Sequence, residues 1–384
     1  MRNIHKIIGI IAMSAIIAFG VTACGGGGDG DGDGGKTQIA KPTLTVNSFE
    51  HDGSPQTVTL SAENAAYTLG GDVTKTAAGD YTATVTLNDT ENFEWADGTI
   101  APLQLPWKIV TKPIVDADNL TITIRQTDSV ENIQKAIQDA LDYAAADGSD
   151  PDVIVKGTKT NADKKLSLEF KSGWTDLLFE ADYTGPGLEL KAGLGKMGEF
   201  GVTNGGSIVL NGDLIIECDI NDYLGLYTRL GGTVTVNGSV FCDGDAKVYA
   251  FTGGIITITG NVTGVRNFNC PIFGQSGGSV TVNGNVTSDS PRYAISISGG
   301  SVVLIKGNVS ATNGYLAFMH GAGSLLTIDG TVTVKDASTS FISIQTSTPP
   351  YSTVEKPQSE FSVVSDKSGY DKYSDGSWVV YIRE

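Results

Sequence analysis

Two groups of side chains in this chain have types and spacings that could do chemistry. Asp219 and Asp222 form one acidic cluster, Asp243 and Asp245 a second about one repeat length later, and Lys247 and Arg266 follow closely. Carboxylates on adjacent turns of a repeat could hold calcium, and a neighbouring base could then abstract a proton from an acidic sugar, which is lyase chemistry. Cys218-Asp219-Ile220-Asn221-Asp222 and Cys242-Asp243-Gly244-Asp245 are also ordinary turn sequences, and acidic chains contain many such clusters. The second group is aromatic. Tyr227, Tyr249, Phe273 and Phe318 each precede a glycine-led phrase by four residues, with Ile295 at the equivalent place in one copy. Arg229, Phe251, Gln275 and His320 precede the same phrases by two, with Ile297 in that copy. Stacked and facing outward, these residues would make a platform for sugar rings with hydrogen-bonding partners beside it. Facing inward, the rings would be core. Tyr293-Ala294-Ile295-Ser296-Ile297 favours the inward arrangement, and the cost of burying Arg229, Gln275 and His320 unpaired favours the outward one. Leu226, Val248, Ile272, Ala294 and Ala317 are the competing inward set.

The phrases that would position these residues begin at Gly205, Gly231, Gly253, Gly277, Gly299 and, in worn form, Ala322, at separations of 26, 22, 24, 22 and 23 residues. The type is Gly277-Gly-Ser-Val-Thr-Val-Asn-Gly-Asn-Val286. Self-similarity at this period, with strand alternation inside each copy, predicts a β-solenoid. Ile208, Val234, Ile256, Val280, Val303 and Leu326 should stack as one interior ladder, and Leu210, Val236, Ile258, Val282, Ile305 and Ile328 as a second. The intervening Val209, Thr235, Thr257, Thr281, Leu304 and Thr327 face solvent. Asn-Gly then turns the chain by tolerating positive φ. Leu214, Val240, Val262, Val286, Val309 and Val332 open a third inward run. An extra residue before the turn in the last two copies reads as a bulge.

At the other end of the chain, Arg2 and Lys6 precede an apolar run from Ile7 to Phe19, and Val21-Thr22-Ala23-Cys24 follows. This order resembles a bacterial lipoprotein signal peptide, residues 1–23, with its lipobox. The resemblance implies cleavage before Cys24 and lipidation of its thiol. The membrane is then a partner, and Gly25 in place of Asp points to the outer membrane or cell surface of the envelope. Residues 24–36 are nearly all Gly and Asp. Asp29 to Asp33 imitates the start of a calcium loop, but Ala40 stands where the closing Glu would be, so the stretch reads as a tether. The formal net charge is −17, and loss of the leader with its two cations makes it about −19. This excess disfavours nucleic acid. With Cys24 lipidated, Cys218, Cys242 and Cys270 are left; Cys218 and Cys242 lie 24 apart, so they read as buried apolar residues, with a disulfide as the alternative.

Residues 37–112 hold about seven short alternating runs separated by Asp52-Gly53, Gly70-Gly71, Gly79-Asp80 and Asp97-Gly98, the pattern of a small β-sandwich. Phe49-Glu50-His51-Asp52-Gly53, Ala78-Gly79-Asp80-Tyr81 and Asn92-Phe93-Glu94-Trp95 resemble bacterial immunoglobulin-like modules of the Tyr-Asp-Gly type, with His51 in the Tyr position. That likeness implies a stalk, with Trp95 and Trp107 as core anchors. Residues 113–119, opening on Pro113, read as a linker. In 120–384 one helix precedes the repeats. Ser129 caps it, Ile133, Ala136, Ile137, Ala140, Leu141 and Ala144 form its apolar face, and Gly148 ends it. Such a helix would cover the open end of the solenoid. Phe361–Val364 and Ser377–Ile382 should close the far end.

The helix followed by Asp152-Val-Ile-Val155 resembles pectin-lyase-like right-handed parallel β-helix proteins, a group containing lyases, hydrolases and adhesins. The hydrolase pattern that this resemblance brings is not met. His320-Gly321 is present, but the chain has no Asp-Asp pair and no Arg-x-Lys. The expectation is therefore an all-β protein, a small Ig-like β-sandwich followed by a capped β-helix. It would act as a non-catalytic surface binding or adhesion lipoprotein for a polysaccharide or a surface protein. A calcium-dependent lyase for acidic glycans is the alternative. No cofactor is required by the first reading, and calcium would serve the second.

Overall fold

The structure, a computed structural model, describes residues 35–147, 151–171, 174–192, 197–218, 223–266, 270–337, 341–345, 353–360 and 362–384. The leader, Cys24, most of the tether, Gly148, Asp219 and Asp222 lie outside the described residues.

The chain forms a small N-terminal β region and then, after one helix, a parallel β-solenoid of about seven turns over residues 153–344. The N-terminal region is a curled four-stranded sheet in the order Ser48–Glu50, Leu103–Val110, Gly79–Leu87, Tyr67–Gly71, with two two-stranded pieces against it. Trp95 and Trp107 anchor its two apolar clusters and are almost fully buried. Each indole N–H is satisfied by a carbonyl, Ala101 at 2.8 Å and Asp72 at 2.6 Å, so burial costs no unpaired donor. His51 is exposed. Residues 113–119 are more than a linker. They include the strand Ile114–Asp116, which pairs antiparallel with Thr121–Ile124 at the start of the second unit.

Each complete coil contributes three strands, one to each of three parallel sheets. A front sheet runs from Val153–Lys159 through Trp174–Phe179, Met197–Val202, Tyr223–Thr228, Lys247–Phe251, Ile272–Gln275, Tyr293–Ser298 and Tyr315–His320 to Ile342–Gln345. A second sheet carries the repeated phrases, and the expected pairs Ile208↔Val234↔Ile256↔Val280↔Val303↔Leu326 are in register. The third runs from Leu166–Phe170 to Val332–Val334. Both predicted aliphatic ladders of the second sheet are fully buried, and the Thr ladder is half-exposed until Thr327, which is buried. The ladders merge into one continuous core because parallel strands in register place like residues on like.

The two corners of the phrase work differently from the expectation. Positive φ belongs to the corner before the phrase, at Leu230 (+50°) and Gly231 (+78°), Thr252 (+48°) and Gly253 (+75°), Ser276 (+51°) and Gly277 (+82°). The Asn-Gly corner has no positive φ, and its glycines are there for space. A Cβ on Gly238, Gly260, Gly284 or Gly307 would sit 2.4–2.5 Å from the carbonyl oxygen of the same glycine one coil earlier. The Asn residues just after these glycines bind the coils together, since Asn261, Asn285 and Asn308 each accept through Oδ1 from the next coil's backbone N–H at 2.8 Å. The expected bulge is also absent. Val302–Ile305 pairs residue for residue with Ser279–Val282, so Gly300 is the counterpart of Gly277. The front strand before the corner keeps the same offset, Ile272↔Ile295 as Ser279↔Val302, so no residue is inserted, and Gly299 (φ +58°) is the counterpart of Ser276 (φ +51°).

The helix Val130–Asp147 begins as expected, with Ser129 Oγ accepting from Asn132 N–H at 3.2 Å. Ile133, Ile137, Leu141 and Ala144 are buried against the first coil. Gln134 and Gln138 reach the sheet edge at Leu166–Phe170. Gln134 Oε1 accepts from Ser167 N–H at 2.9 Å, and Gln138 both accepts from Glu169 N–H at 2.9 Å and donates to its carbonyl at 2.8 Å. The far end is closed by Val379–Arg383, parallel to Leu325–Ile328, and by Tyr370–Ser374 antiparallel to it. Trp378 is buried beneath.

Candidate functional site

The front sheet decides which way the aromatic column faces. Its inward positions are Leu226, Val248, Ile272, Ile295, Ala317 and Ile342 in one ladder, all fully buried. Alternation then sends Tyr227, Tyr249, Phe273 and Phe318 outward. Ile295 and Ile297 are not members of the column. Ser296 pairs with Phe273 and Phe318, because Gly300 and not Gly299 is the counterpart of Gly277, which puts Ser296 four residues before the phrase. The inward set accordingly contains Ile295 where Ala294 was expected, although Ala294 is also buried.

Ser296 divides the outward rings into two patches. In the first, Tyr227, Tyr249, Phe251 and Phe273 pack on one another. Tyr227 lies 5.4 Å from Tyr249 and 5.5 Å from Phe251, and Tyr249 stacks on Phe251 at 5.7 Å and 15°. In the second, Phe318 stacks on Tyr293 at 5.3 Å and on His320 at 6.3 Å. Tyr249, Phe251, Phe273 and Phe318 are half-buried, Gln275 and His320 are exposed, and Tyr227 is covered to 1 % exposure. Cations sit on the rings. The Arg229 guanidinium is 5.4 Å from the Tyr227 centroid, and Lys247 Nζ is 5.8 Å from both Tyr249 and Phe273. Burial pulls the Lys247 ammonium below its usual range.

Beside this patch runs a row of carboxylates that sequence reasoning missed. Register places Asp176 and Glu199 on successive front strands, followed by Gly225 and Lys247, and Asp152 lies just before the strand Val153–Lys159 that precedes them. Adjacent coils are about 4.8 Å apart, so these side chains are stacked like charges. Burial, the Glu199 and Asp152 charges together push the Asp176 carboxyl up to about 6, with Arg229 opposing. Tyr249 reaches back two coils and donates its hydroxyl to Glu199. Asp176 and Glu199 occur before the first glycine-led phrase, where the repeat is too worn to align by eye. Their spacing of 23 and the alternation of Trp174–Phe179 and Met197–Val202 were the available signal.

Asp176 carries a stability prediction. Its folded-state value lies above the ordinary carboxylate value of 3.8. The charged form therefore costs stability fully above about pH 6, and the cost fades as pH falls towards 3.8. Asp176→Asn is expected to raise the melting temperature at about pH 8 and to leave it nearly unchanged at about pH 4. An equal shift at both would show that the cost of the Asp176 charge, in burial first and in repulsion second, is not the cause.

The proposed calcium cluster has a different character. Asp243 is half-buried at the end of a strand of the third sheet, and both its oxygens take the fork of Arg266 at 2.7 and 2.5 Å. Asp245 is half-buried and within electrostatic reach of Lys247. Asp219 and Asp222 lie outside the described residues. Among the described residues no three His, Cys, Asp or Glu side chains come together as a metal would require. Cys218, Cys242 and Cys270 are buried, Cys218 Sγ donating to the Asp243 carbonyl at 3.5 Å, and burial drives the Cys242 thiol up and that of Cys270 up to about 12, so Cys242 and Cys270 are inert packing residues.

The front sheet is an open face. A groove of about 490 Å³ lies elsewhere, between the helix and the Ile114–Asp116 strand, lined by Val115, Leu120, Ala136, Ala140 and Tyr143. An open ladder of half-covered rings and polar groups suits an extended chain better than a small enclosed molecule. No family model matches the chain, and no curated protein or solved structure matches it.

Proposed function

We propose that this chain is a non-catalytic binding protein of the bacterial cell envelope, held to the membrane through lipid on Cys24, which retains a polysaccharide along the outward face of its front sheet. The single observation that carries the reading is the orientation of Tyr227, Tyr249, Phe251 and Phe273, which point away from a core already filled by Leu226, Val248 and Ile272. Rings placed outside a completed core are not needed to build it. On this reading the N-terminal β region is an immunoglobulin-like stalk, and the solenoid is a pectin-lyase-like β-helix put to use as a display surface. A protein ligand would use the same face. The lyase alternative is disfavoured by Arg266, which already occupies both oxygens of Asp243.

The test is retention of the full chain on immobilised polysaccharides with calcium present, alongside an assay for new chain ends. Retention without cleavage is expected, and Tyr249→Ala with Phe273→Ala should weaken it about tenfold or more, since each ring contributes about 1 kcal/mol. New chain ends from the parent protein would replace this reading with catalysis.

A further inference from the structure

We propose that Asp176, Glu199, Tyr227, Arg229 and Tyr249 form the subsite that grips one ring of the glycan, and that it takes an uncharged sugar presenting a vicinal diol. The inference rests on the glycan-binding reading and narrows it to a substrate class and a place.

The geometry of the column repeats, and one link in it is open. Tyr249 leans back two coils and donates to Glu199. Tyr227, one coil earlier in the same column, leans the same way, and its Oη lies 2.4 Å from where a Gly201 Cβ would be. The carboxylate two coils behind Tyr227 is Asp176. No bond to Asp176 closes, however, and the Tyr227 hydroxyl, on a side chain 1 % exposed, has no partner among the described residues. Arg229 Nε, two residues on, is likewise buried without one. Buried hydroxyls without partners also occur at Tyr183, Thr203, Thr228, Ser324 and Ser343, Thr228 lying between Tyr227 and Arg229 in the chain. What sets Tyr227 Oη and Arg229 Nε apart is that they adjoin a row of like-charged carboxylates.

Buried polar groups left unmade cost stability, and so do stacked like charges. A fold that keeps both in one patch is holding them for something that completes them. A vicinal diol has the matching inventory. Each hydroxyl donates once, to the oxygens of Asp176 or Glu199, and accepts from Arg229 Nε or Tyr227 Oη. The Arg229 guanidinium now covers the Tyr227 ring at 5.4 Å. Its movement aside would open both donors and expose a ring face for the sugar's C–H groups. Asp152, Asp176 and Glu199 outnumber the cations Arg229 and Lys247 of the same patch, so a uronate or sulfated sugar would be repelled. This separates the proposed ligand from the acidic glycans a calcium-dependent lyase would use.

The full chain is measured by depletion from a neutral glucan, mannan, xylan and galactan, and from polygalacturonate and chondroitin sulfate. Binding to at least one neutral polysaccharide is expected. Tyr227→Phe and Asp176→Asn should each weaken it about tenfold, with melting temperatures equal to or above the parent's. Phe241→Ala, on the third sheet, should stay within about twofold. The melting temperature separates lost contact from lost fold, because a structural role for the Tyr227 hydroxyl would lower it. Unchanged affinity in both variants, or binding confined to the acidic polysaccharides, overturns the subsite and leaves glycan binding standing. Retention on none of the six overturns both.

Discussion

Gly232→Ala is expected to split the unfolding of the solenoid into two transitions and to remove about 3 kcal/mol or more from the coils around it. The residue follows the positive-φ corner and has no unusual φ of its own. A Cβ there would stand 2.0 Å from the carbonyl oxygen of Val202 and 2.5 Å from its carbon, both backbone atoms of the preceding coil. Nothing flexible can yield, so the coils must separate. Separation breaks the parallel pairing of Ser207–Leu210 with Thr233–Val236. In a stacked array each coil is stabilised only by its neighbours, and a break in the middle decouples the two halves. The control is the adjacent Gly231→Ala. Gly231 has φ +78° with nothing within 4 Å of an added Cβ, so the cost is only that of a left-handed Ala, about 1 kcal/mol. Urea melts of the two variants, followed by circular dichroism, check the contrast. Equal losses would mean that the close approach of coils does not limit stability here.

The second large effect is expected at the helical cap. Removing both amides, Gln134→Ala with Gln138→Ala, should destabilise the first coils by about 2–5 kcal/mol. The two side chains supply the edge strand Leu166–Phe170 with the partners a further coil would have given it, at Ser167 N–H and at Glu169 N–H and carbonyl. Without them those groups lie beneath a helix whose apolar face still shields them, and each unmade bond costs about 1–3 kcal/mol. Hydrogen exchange at Ser167 and Glu169 should rise by at least tenfold, with little change at Val309–Ala311 many coils away. The readout separates a lost cap from global loosening. Uniform acceleration would show that the cap is not a local unit.

The expectations from sequence failed where a one-residue offset mattered. The Gly-Gly phrase was legible, but anchoring it on Gly299 adds a residue to the strand after the corner that the pairing does not contain. Gly300 is the counterpart of Gly277, and that moves Ile295 inward and Ser296 into the aromatic column. Likewise Asn-Gly was readable as a corner. Its glycine was read as a conformational requirement, whereas contact between coils makes it a spatial one. The carboxylate row went unseen for a related reason. Asp152, Asp176 and Glu199 are spread over 48 positions of a worn repeat, and only pairing in register brings them side by side.

Local pattern dictates the three inward ladders, the helix with its Ser129 cap, and the solenoid itself, because period-two alternation repeated at a fixed interval leaves one way to bury every aliphatic row. The direction of Tyr227, Tyr249 and Phe273 was not open to sequence reasoning. Two adjacent sets of apolar residues competed for the same interior, and alternation says that they point oppositely without saying which is inside. Register and packing decided it. Leu226, Val248 and Ile272 fill the coil, so the rings, with Arg229 and the acidic row of Asp176 and Glu199 beside them, were left on the outer face.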